Sequence, residues 1–223
     1  MAISRGSIHH SIREDLRALF LSLLDKKSCE EASEKTIINT TNKIKTFFGT
    51  SEAVLFPYAR TSLYALLSKL DIPKGSEILM TPFNIYPMLD VIKNLELKPT
   101  FIDINLKDFG PNYSELESSL SRKPYCFFLT YLFGYVPNMD YILNLCKKYN
   151  VILIEDISHS IGSKYKNQYL GTFGYASIYS SSLTKYVDSF CGSFVLTNDL
   201  IISEKLRSFY ETLSKPDIGR IRK

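Results

Sequence analysis

The sequence is poor in the residues that build metal sites and disulfides. It contains only three histidines and four cysteines, and no two cysteines form a CxxC pair. These residues are His9, His10 and His159, and Cys29, Cys126, Cys146 and Cys191. Zinc sites need several such ligands close together, so a zinc site is poorly supported. We expect buried free thiols, because an unsecreted chain of this size does not need disulfides.

Long apolar runs and a charge imbalance are also missing. The longest apolar stretches, residues 18–24 and 151–154, fall far short of the roughly 18 residues that a membrane span needs. No apolar segment near the N-terminus leads to a small-residue cleavage site, so no secretory signal is predicted. The net charge is only +4, with basic residues scattered among acidic ones, which argues against nucleic-acid binding. We therefore expect a cytoplasmic protein that contacts neither a membrane nor a nucleic acid.

The N-terminal part of the sequence predicts two amphipathic helices. The first lies near residues 11–24 and begins with a capping box formed by Ser11 and Glu14, and the second lies near residues 33–48 and stops at Gly49. From residue 53 onward, short apolar runs alternate with helical patterns. The predicted strands are 53–56, 77–80, 100–104, 125–132, 151–155, 176–180 and 193–197, and the predicted helices are 61–70, 87–95, 113–120, 139–149 and 200–213. Apolar strands separated by helices predict a three-layer α/β/α sandwich with a mostly parallel sheet. The expected division is a helical segment at 1–50, one large domain at 51–213 and a tail at 214–223.

Polar residues that follow these strands are the first candidates for chemistry, because ligands of open α/β sheets bind at the carboxyl ends of the strands. Asp156 follows the apolar run Val151-Ile-Leu-Ile and could face a buried cation such as a protonated pyridine nitrogen; the segment fits equally an aspartate that caps the next turn. Lys185 ends the hydroxyl-rich stretch that begins at Ser177. A lysine in such a pocket can lose its proton and form a Schiff base with an aldehyde, although most lysines are merely solvated.

Two further segments could bind a ligand. Arg60 and Thr61 stand where an apolar strand gives way to a helix, and the free N–H groups of a helix N-terminus form an anion site, with ordinary capping by Thr61 as the alternative. Tyr86 begins a helix after another strand, where its ring could stack on a planar ligand or simply join the core. Neither GxGxxG nor GxxxxGK[ST] follows any strand, which disfavours the nucleotide-binding folds.

Taken in order, these segments resemble the DegT/DnrJ/EryC1/StrS family of fold type I sugar aminotransferases, over residues 53–199. The stretches that carry the resemblance are IPKGSEILMTP at 72–82, LKPTFIDI at 97–104, IEDISHSIG at 154–162 and KNQYLGTFG at 166–174. The resemblance implies the large domain of an aspartate aminotransferase-like fold that holds pyridoxal 5'-phosphate.

The resemblance also implies a role for each candidate residue. Lys185 would be the aldimine lysine, and Asp156 the carboxylate that pairs with the pyridine nitrogen. Tyr86 would stack on the ring, and His159 would lie near the phenolic oxygen. The phosphate would be held by Ser180 and by the turn at Arg60 and Thr61.

The implied reaction transfers an amino group from an amino-acid donor, expected to be glutamate, to a nucleotide-linked keto-sugar, and the expected state is a homodimer. The sequence departs from the family after Lys185, where Phe190 and Ser193 replace glycines. We also expect the family's C-terminal small domain to be absent from this chain, either because the chain is a fragment or because the protein is naturally truncated. These departures keep open a degenerate, non-catalytic protein that serves as a partner or scaffold. A pyridoxal-phosphate-dependent sugar dehydratase is a second alternative, although such enzymes usually carry histidine in place of the lysine.

Overall fold

The computed structural model describes residues 12–13, 16, 19–20, 26–182, 185–187, 189 and 191–214, with the backbone alone for 26–32. Several predicted features lie outside these residues, namely the capping box at Ser11 and Glu14, the burial of Cys29, Phe190 and the tail beyond residue 214. The described residues between 12 and 20 are helical, and the apolar side chains there are exposed.

The fold is built on one seven-stranded sheet with the order β1-β9-β8-β5-β4-β2-β3. The sheet strands are β1 (Glu52–Phe56), β2 (Glu77–Met80), β3 (Lys98–Phe101), β4 (Cys126–Thr130), β5 (Ile152–Asp156), β8 (Ala176–Ser180) and β9 (Ser193–Thr197). A separate two-stranded hairpin is formed by β6 (Lys164–Tyr165) and β7 (Gln168–Tyr169). The helices are α1 (Lys26–Phe48), α2 (Ala59–Lys69), α3 (Tyr86–Asn94), α4 (Tyr113–Ser121), α5 (Met139–Tyr149) and α6 (Leu200–Glu211).

The sheet is mixed but mostly parallel, as predicted. Strands β8, β5, β4, β2 and β3 pair in parallel, whereas β9 is antiparallel to both of its neighbours, β8 and β1. Helices α2, α3 and α6 bury apolar side chains on one face of the sheet, and α1, α4 and α5 do so on the other. Every residue of the interior strand β4 is buried between these layers. The predicted three-layer α/β/α sandwich is therefore confirmed.

Some boundaries and details differ from the prediction. Helix α1 begins at Lys26, seven residues earlier than expected. Strand β3 ends at Phe101, because Ile104 forms only an isolated bridge to Pro111. The hairpin of β6 and β7 was not predicted, since its strands are only two residues long. Within the described part of the chain, no helix is long and apolar enough to cross a membrane.

The expectation of buried thiols is only partly correct. Cys126 and Cys146 are buried and unpaired, and burial raises the pKa of each thiol to about 12. Cys191 is exposed, because it lies in the turn that leads into β9 and not in the core.

Glu155 in β5 anchors a loop from inside the core. Its side chain is fully buried and accepts hydrogen bonds from the Tyr131 hydroxyl (2.6 Å) and from the backbone N–H groups of Gly171 (2.7 Å), Phe173 (2.8 Å) and Gly174 (2.6 Å). Burial raises the pKa of Glu155, and these four donors oppose the rise. The loop approaches β5 so closely that a Cβ atom at Gly174 would lie 2.5 Å from the Leu153 carbonyl oxygen. Glu155 thus fixes the segment that leads into β8.

We predict that Glu155→Gln lowers the free energy of unfolding by about 2–4 kcal/mol, because its amide NH₂ would face donors that now bind a carboxylate. Urea unfolding followed by circular dichroism measures the change. The matched control, Glu204→Gln, lies on an exposed position of α6 and should change stability by less than about 0.5 kcal/mol. Equal unfolding midpoints for the two variants would contradict the anchoring role.

Candidate functional site

The candidate residues gather at one edge of the sheet because of strand direction. Strands β1, β2, β4, β5 and β8 all end at this edge, and the antiparallel strand β9 begins there. In register, Ser193 pairs with both Phe56 and Ser180, and Thr130 pairs with Asp156. The carboxyl edge therefore collects the segments that the sequence singled out.

Asp156 is the last residue of β5, and its side chain is buried. Its Oδ1 atom accepts a hydrogen bond from the Ser158 N–H at 2.9 Å, and the Ser158 hydroxyl accepts one from the Ser180 N–H at 3.0 Å. Burial raises the pKa of Asp156, while the hydrogen bonds from Ser158 and the charge of Lys185 oppose that rise. Asp156 is therefore a buried carboxylate that a nearby cation would stabilise.

Lys185 lies within electrostatic range of Asp156, since its charge lowers the pKa of that carboxyl group. Its own backbone N–H donates to the Ser182 carbonyl oxygen at 3.2 Å. The hydroxyl groups of Ser180 and Ser182 are 3.1 Å apart and half-buried at the end of β8. At the ends of β5 and β8, the structure thus brings together a buried carboxylate, an amine and two hydroxyl groups.

The N-terminus of α2 is the candidate anion site. No side chain among the described residues caps it at Tyr58, whereas α4, α5 and α6 are capped by the side chains of Asn112, Asn138 and Asp199. Thr61 lies inside the first turn of α2, three residues after the N-cap residue Tyr58, so it is not the capping residue; its N–H donates to the Tyr58 carbonyl oxygen at 3.0 Å. The exposed Arg60 guanidinium lies 4.3 Å from the centre of the Tyr58 ring. This end of the helix keeps unfilled hydrogen-bonding capacity beside a positive charge.

A hydrogen bond between hydroxyl groups holds the candidate anion site against the sheet. The Ser62 and Ser193 hydroxyl oxygens are 2.7 Å apart and buried, and they join the first turn of α2 to the start of β9. Ser193 is one of the two family departures, and it occupies a regular strand position without a positive φ angle. The structure therefore accommodates Ser193 without the backbone freedom of glycine, whereas Phe190 lies outside the described residues.

The two aromatic candidates also reach this edge. Tyr86 is the first residue of α3 and is 66% exposed, so its ring is not part of the core. Two residues earlier, the Asn84 side chain accepts a hydrogen bond from the Thr130 hydroxyl at 2.9 Å, which holds this loop at the end of β4. The His159 ring stacks on Phe133 with a centroid distance of 6.0 Å. Contact of either ring with a cofactor stays a prediction.

Sequence reasoning missed Ser158, Ser62 and Glu155, which support the candidate residues without being candidates themselves. Ser158 stands two residues after Asp156, the spacing at which an N–H returns to an aspartate side chain, and this spacing could have indicated it. The Ser62 bond to Ser193 spans 131 positions, and no local pattern predicts it. Within the described residues, no group of three or more His, Cys, Asp or Glu side chains could hold a metal ion.

The fold is that of the pyridoxal-phosphate-dependent transferases of fold type I. A solved structure of GDP-4-keto-6-deoxy-D-mannose-3-dehydratase from Escherichia coli, with bound hydrated pyridoxal phosphate, superposes with a TM-score of 0.79 at 19% identity, covering 91% of this chain and 52% of the other. The chain itself belongs to the DegT/DnrJ/EryC1/StrS aminotransferase family, whose sequence model matches residues 13–217.

Two curated relatives are sugar-modifying enzymes by name. GDP-perosamine synthase from Escherichia coli O157:H7 is 29% identical over 148 residues, which cover 66% of this chain and 41% of the relative. UDP-4-amino-4,6-dideoxy-N-acetyl-beta-L-altrosamine transaminase from Helicobacter pylori is 25% identical over 199 residues, which cover 88% of this chain and 52% of the relative. The chain therefore spans about half the length of the curated relatives it matches.

We predict that Asp156→Asn raises the urea midpoint of the cofactor-free protein at neutral pH. Burial raises the pKa of Asp156 in the folded state, so ionisation of this group costs stability as the pH rises above the ordinary aspartate value. The neutral amide avoids that cost. Below the ordinary value the carboxyl group is protonated in both states, and the advantage of the variant should disappear.

The matched control is Asp140→Asn. Asp140 is exposed and its pKa is lowered by a hydrogen bond from Lys166, so removal of its charge should not stabilise the protein at neutral pH. A stabilisation by Asp156→Asn that is independent of pH would show that desolvation of the carboxylate is not its cause.

Proposed function

We propose that this chain binds pyridoxal 5'-phosphate at the carboxyl edge of its sheet, as part of an aminotransferase that acts on a nucleotide-linked keto-sugar. The observation that carries the proposal is that Lys185 and the buried Asp156 lie within electrostatic range of each other at the ends of neighbouring parallel strands. This cofactor requires an amine that binds its aldehyde and a carboxylate that pairs with its ring nitrogen. Family membership supports the same reading.

The residues present fit the cofactor's charged groups. The uncapped N-terminus of α2, the side chain of Arg60 and the hydroxyl groups of Ser180 and Ser182 form a suitable set of donors for a phosphate. The buried Asp156 carboxyl group accepts a hydrogen bond from the Ser158 N–H. A pyridinium N–H would offer this carboxyl group both a positive charge and a further hydrogen-bond donor. Tyr86 and His159 would flank the ring from the neighbouring segments.

Each residue would contribute a distinct physical effect. When bound, pyridoxal phosphate supplies an aldehyde that combines with amines and a ring that accepts electrons from the α-carbon of the donor. Asp156 would keep a proton on the ring nitrogen, and Ser158 would orient its carboxylate. The Lys185 amine would attach the cofactor and, once released, would take the proton from the α-carbon of the donor.

The proposed substrates follow from the relatives. GDP-perosamine synthase and the Helicobacter pylori transaminase carry nucleotide-sugar names, which supports a nucleotide-linked keto-sugar as acceptor. We propose glutamate as the amino donor and a homodimer as the working state. Exposed aromatic rings at the site, including Tyr86, Phe133 and Tyr135, support the homodimer because a second subunit would cover them.

The two alternatives differ in what they require of Lys185. A sugar dehydratase shares the fold, as the similar solved structure shows, but the presence of a lysine at position 185 favours amino transfer. A scaffold without a cofactor would not need an amine beside a buried carboxylate. We therefore favour the aminotransferase function over both alternatives.

We predict that borohydride reduction of the protein incubated with pyridoxal phosphate fixes the cofactor to Lys185. Peptide mass spectrometry should find the modification at this residue in preference to exposed lysines such as Lys205, because Lys185 lies near the carboxylate that we propose binds the cofactor. Lys185→Ala should abolish the visible absorption band of the bound cofactor. Modification spread evenly over surface lysines would reject the cofactor site.

We predict further that Asp156→Asn slows the reaction with the amino donor far more than it weakens cofactor binding. The rate of loss of the visible band after glutamate is added should fall by on the order of 100-fold or more, because the ring loses its protonated nitrogen. The cofactor stays attached through Lys185, so its dissociation constant should change little. Equal losses in both measurements would contradict the role of Asp156.

A further inference from the structure

The segment that carries Lys185 is held by a tyrosine from the adjoining strand. Tyr179 is the penultimate residue of β8, and its side chain is buried and stacked on Phe194 with a centroid distance of 5.0 Å. Its hydroxyl group donates to the Val187 carbonyl oxygen at 2.7 Å and accepts from the Val187 N–H at 2.9 Å. One phenol therefore satisfies both backbone polar groups of a residue two positions after Lys185.

The surroundings make this double hydrogen bond important. Val187 is 56% exposed, so its side chain contributes little packing to the loop. Tyr186 and Val187 border a cavity of about 890 Å³, which leaves that side of the loop without close-packed neighbours. Elsewhere the loop is closed by bonds between Ser181 and Ser189, which lie on its two arms. The Tyr179 hydroxyl thus anchors Val187, in the middle of the loop, to a buried residue of β8.

We propose that Tyr179 is a positioning residue, whose hydroxyl group fixes residues 185–187 so that the Lys185 amine faces Asp156. The inference rests on the proposed function, because it assigns the amine the task of attaching the cofactor. Tyr179 does not itself act on substrate or cofactor. Its ring is part of the core and its oxygen is used by Val187, so it works through the backbone of the loop.

The test compares Tyr179→Phe, which removes one oxygen and keeps the ring, with Tyr141→Phe, which removes the hydroxyl of a partly exposed tyrosine on α5. The first readout is hydrogen exchange of the Val187 amide by NMR. Loss of its acceptor should speed exchange roughly tenfold in Tyr179→Phe and leave it unchanged in Tyr141→Phe. A Val187 amide that is unprotected in the wild-type protein would overturn the proposal without any variant.

The second readout is the rate at which pyridoxal phosphate becomes fixed to Lys185 under borohydride. Tyr179→Phe should slow this rate roughly tenfold, while its unfolding midpoint stays close to that of the wild type. If Tyr179 only stabilised the fold, a variant of unchanged stability would fix the cofactor at the wild-type rate. Faster exchange with an unchanged fixation rate would overturn the positioning role. If the wild-type protein fixes no cofactor at Lys185, the proposed function fails, whereas the Tyr179 contact is still judged by exchange at Val187.

Discussion

The structure depends on how one strand buries two adjacent carboxyl groups. Glu155 and Asp156 end β5, and successive side chains of a strand point to opposite faces of the sheet. Glu155 meets four donors and is fully used in holding the loop at 171–174. Within the part of the chain that the structure describes, Asp156 accepts hydrogen bonds from Ser158 and is influenced by the charge of Lys185. The same chemical group is therefore structural on one face, and on the other face it is the group that we propose pairs with the cofactor.

The antiparallel strand β9 completes the arrangement. Because β9 returns against the direction of β8, the chain between them must turn at the carboxyl edge, and Lys185 lies in that turn. Because β8 runs parallel to its neighbour β5, both strands end at this edge. This arrangement brings Lys185, 29 positions beyond Asp156, within electrostatic range of that carboxyl group.

Much of this organisation could be predicted from sequence. The runs at 77–80, 176–180 and 193–197 matched the observed strands, because apolar residues buried on both faces leave a clear pattern. Asp156 became a candidate because it directly follows the apolar run at 151–155, and Lys185 because it comes five residues after the run at 176–180 ends. Their roles stay a prediction. The antiparallel direction of β9 was not predicted, since a fully buried strand has the same apolar pattern in either direction. The Ser62 contact with Ser193 and the Tyr179 contact with Val187 were also missed, because both depend on three-dimensional register.

The link between Ser62 and Ser193 has a consequence for the order in which the parts of this edge become rigid. It joins the helix end that would receive an anion to the first residue after the lysine-bearing turn. A ligand that binds only the folded helix end stabilises whatever is tied to it, by mass action. Binding of a phosphate at the N-terminus of α2 would therefore restrain β9, the strand that follows the turn, before the Lys185 amine forms a bond. Electrostatic binding of the phosphate would in this way precede and favour the covalent attachment of the cofactor.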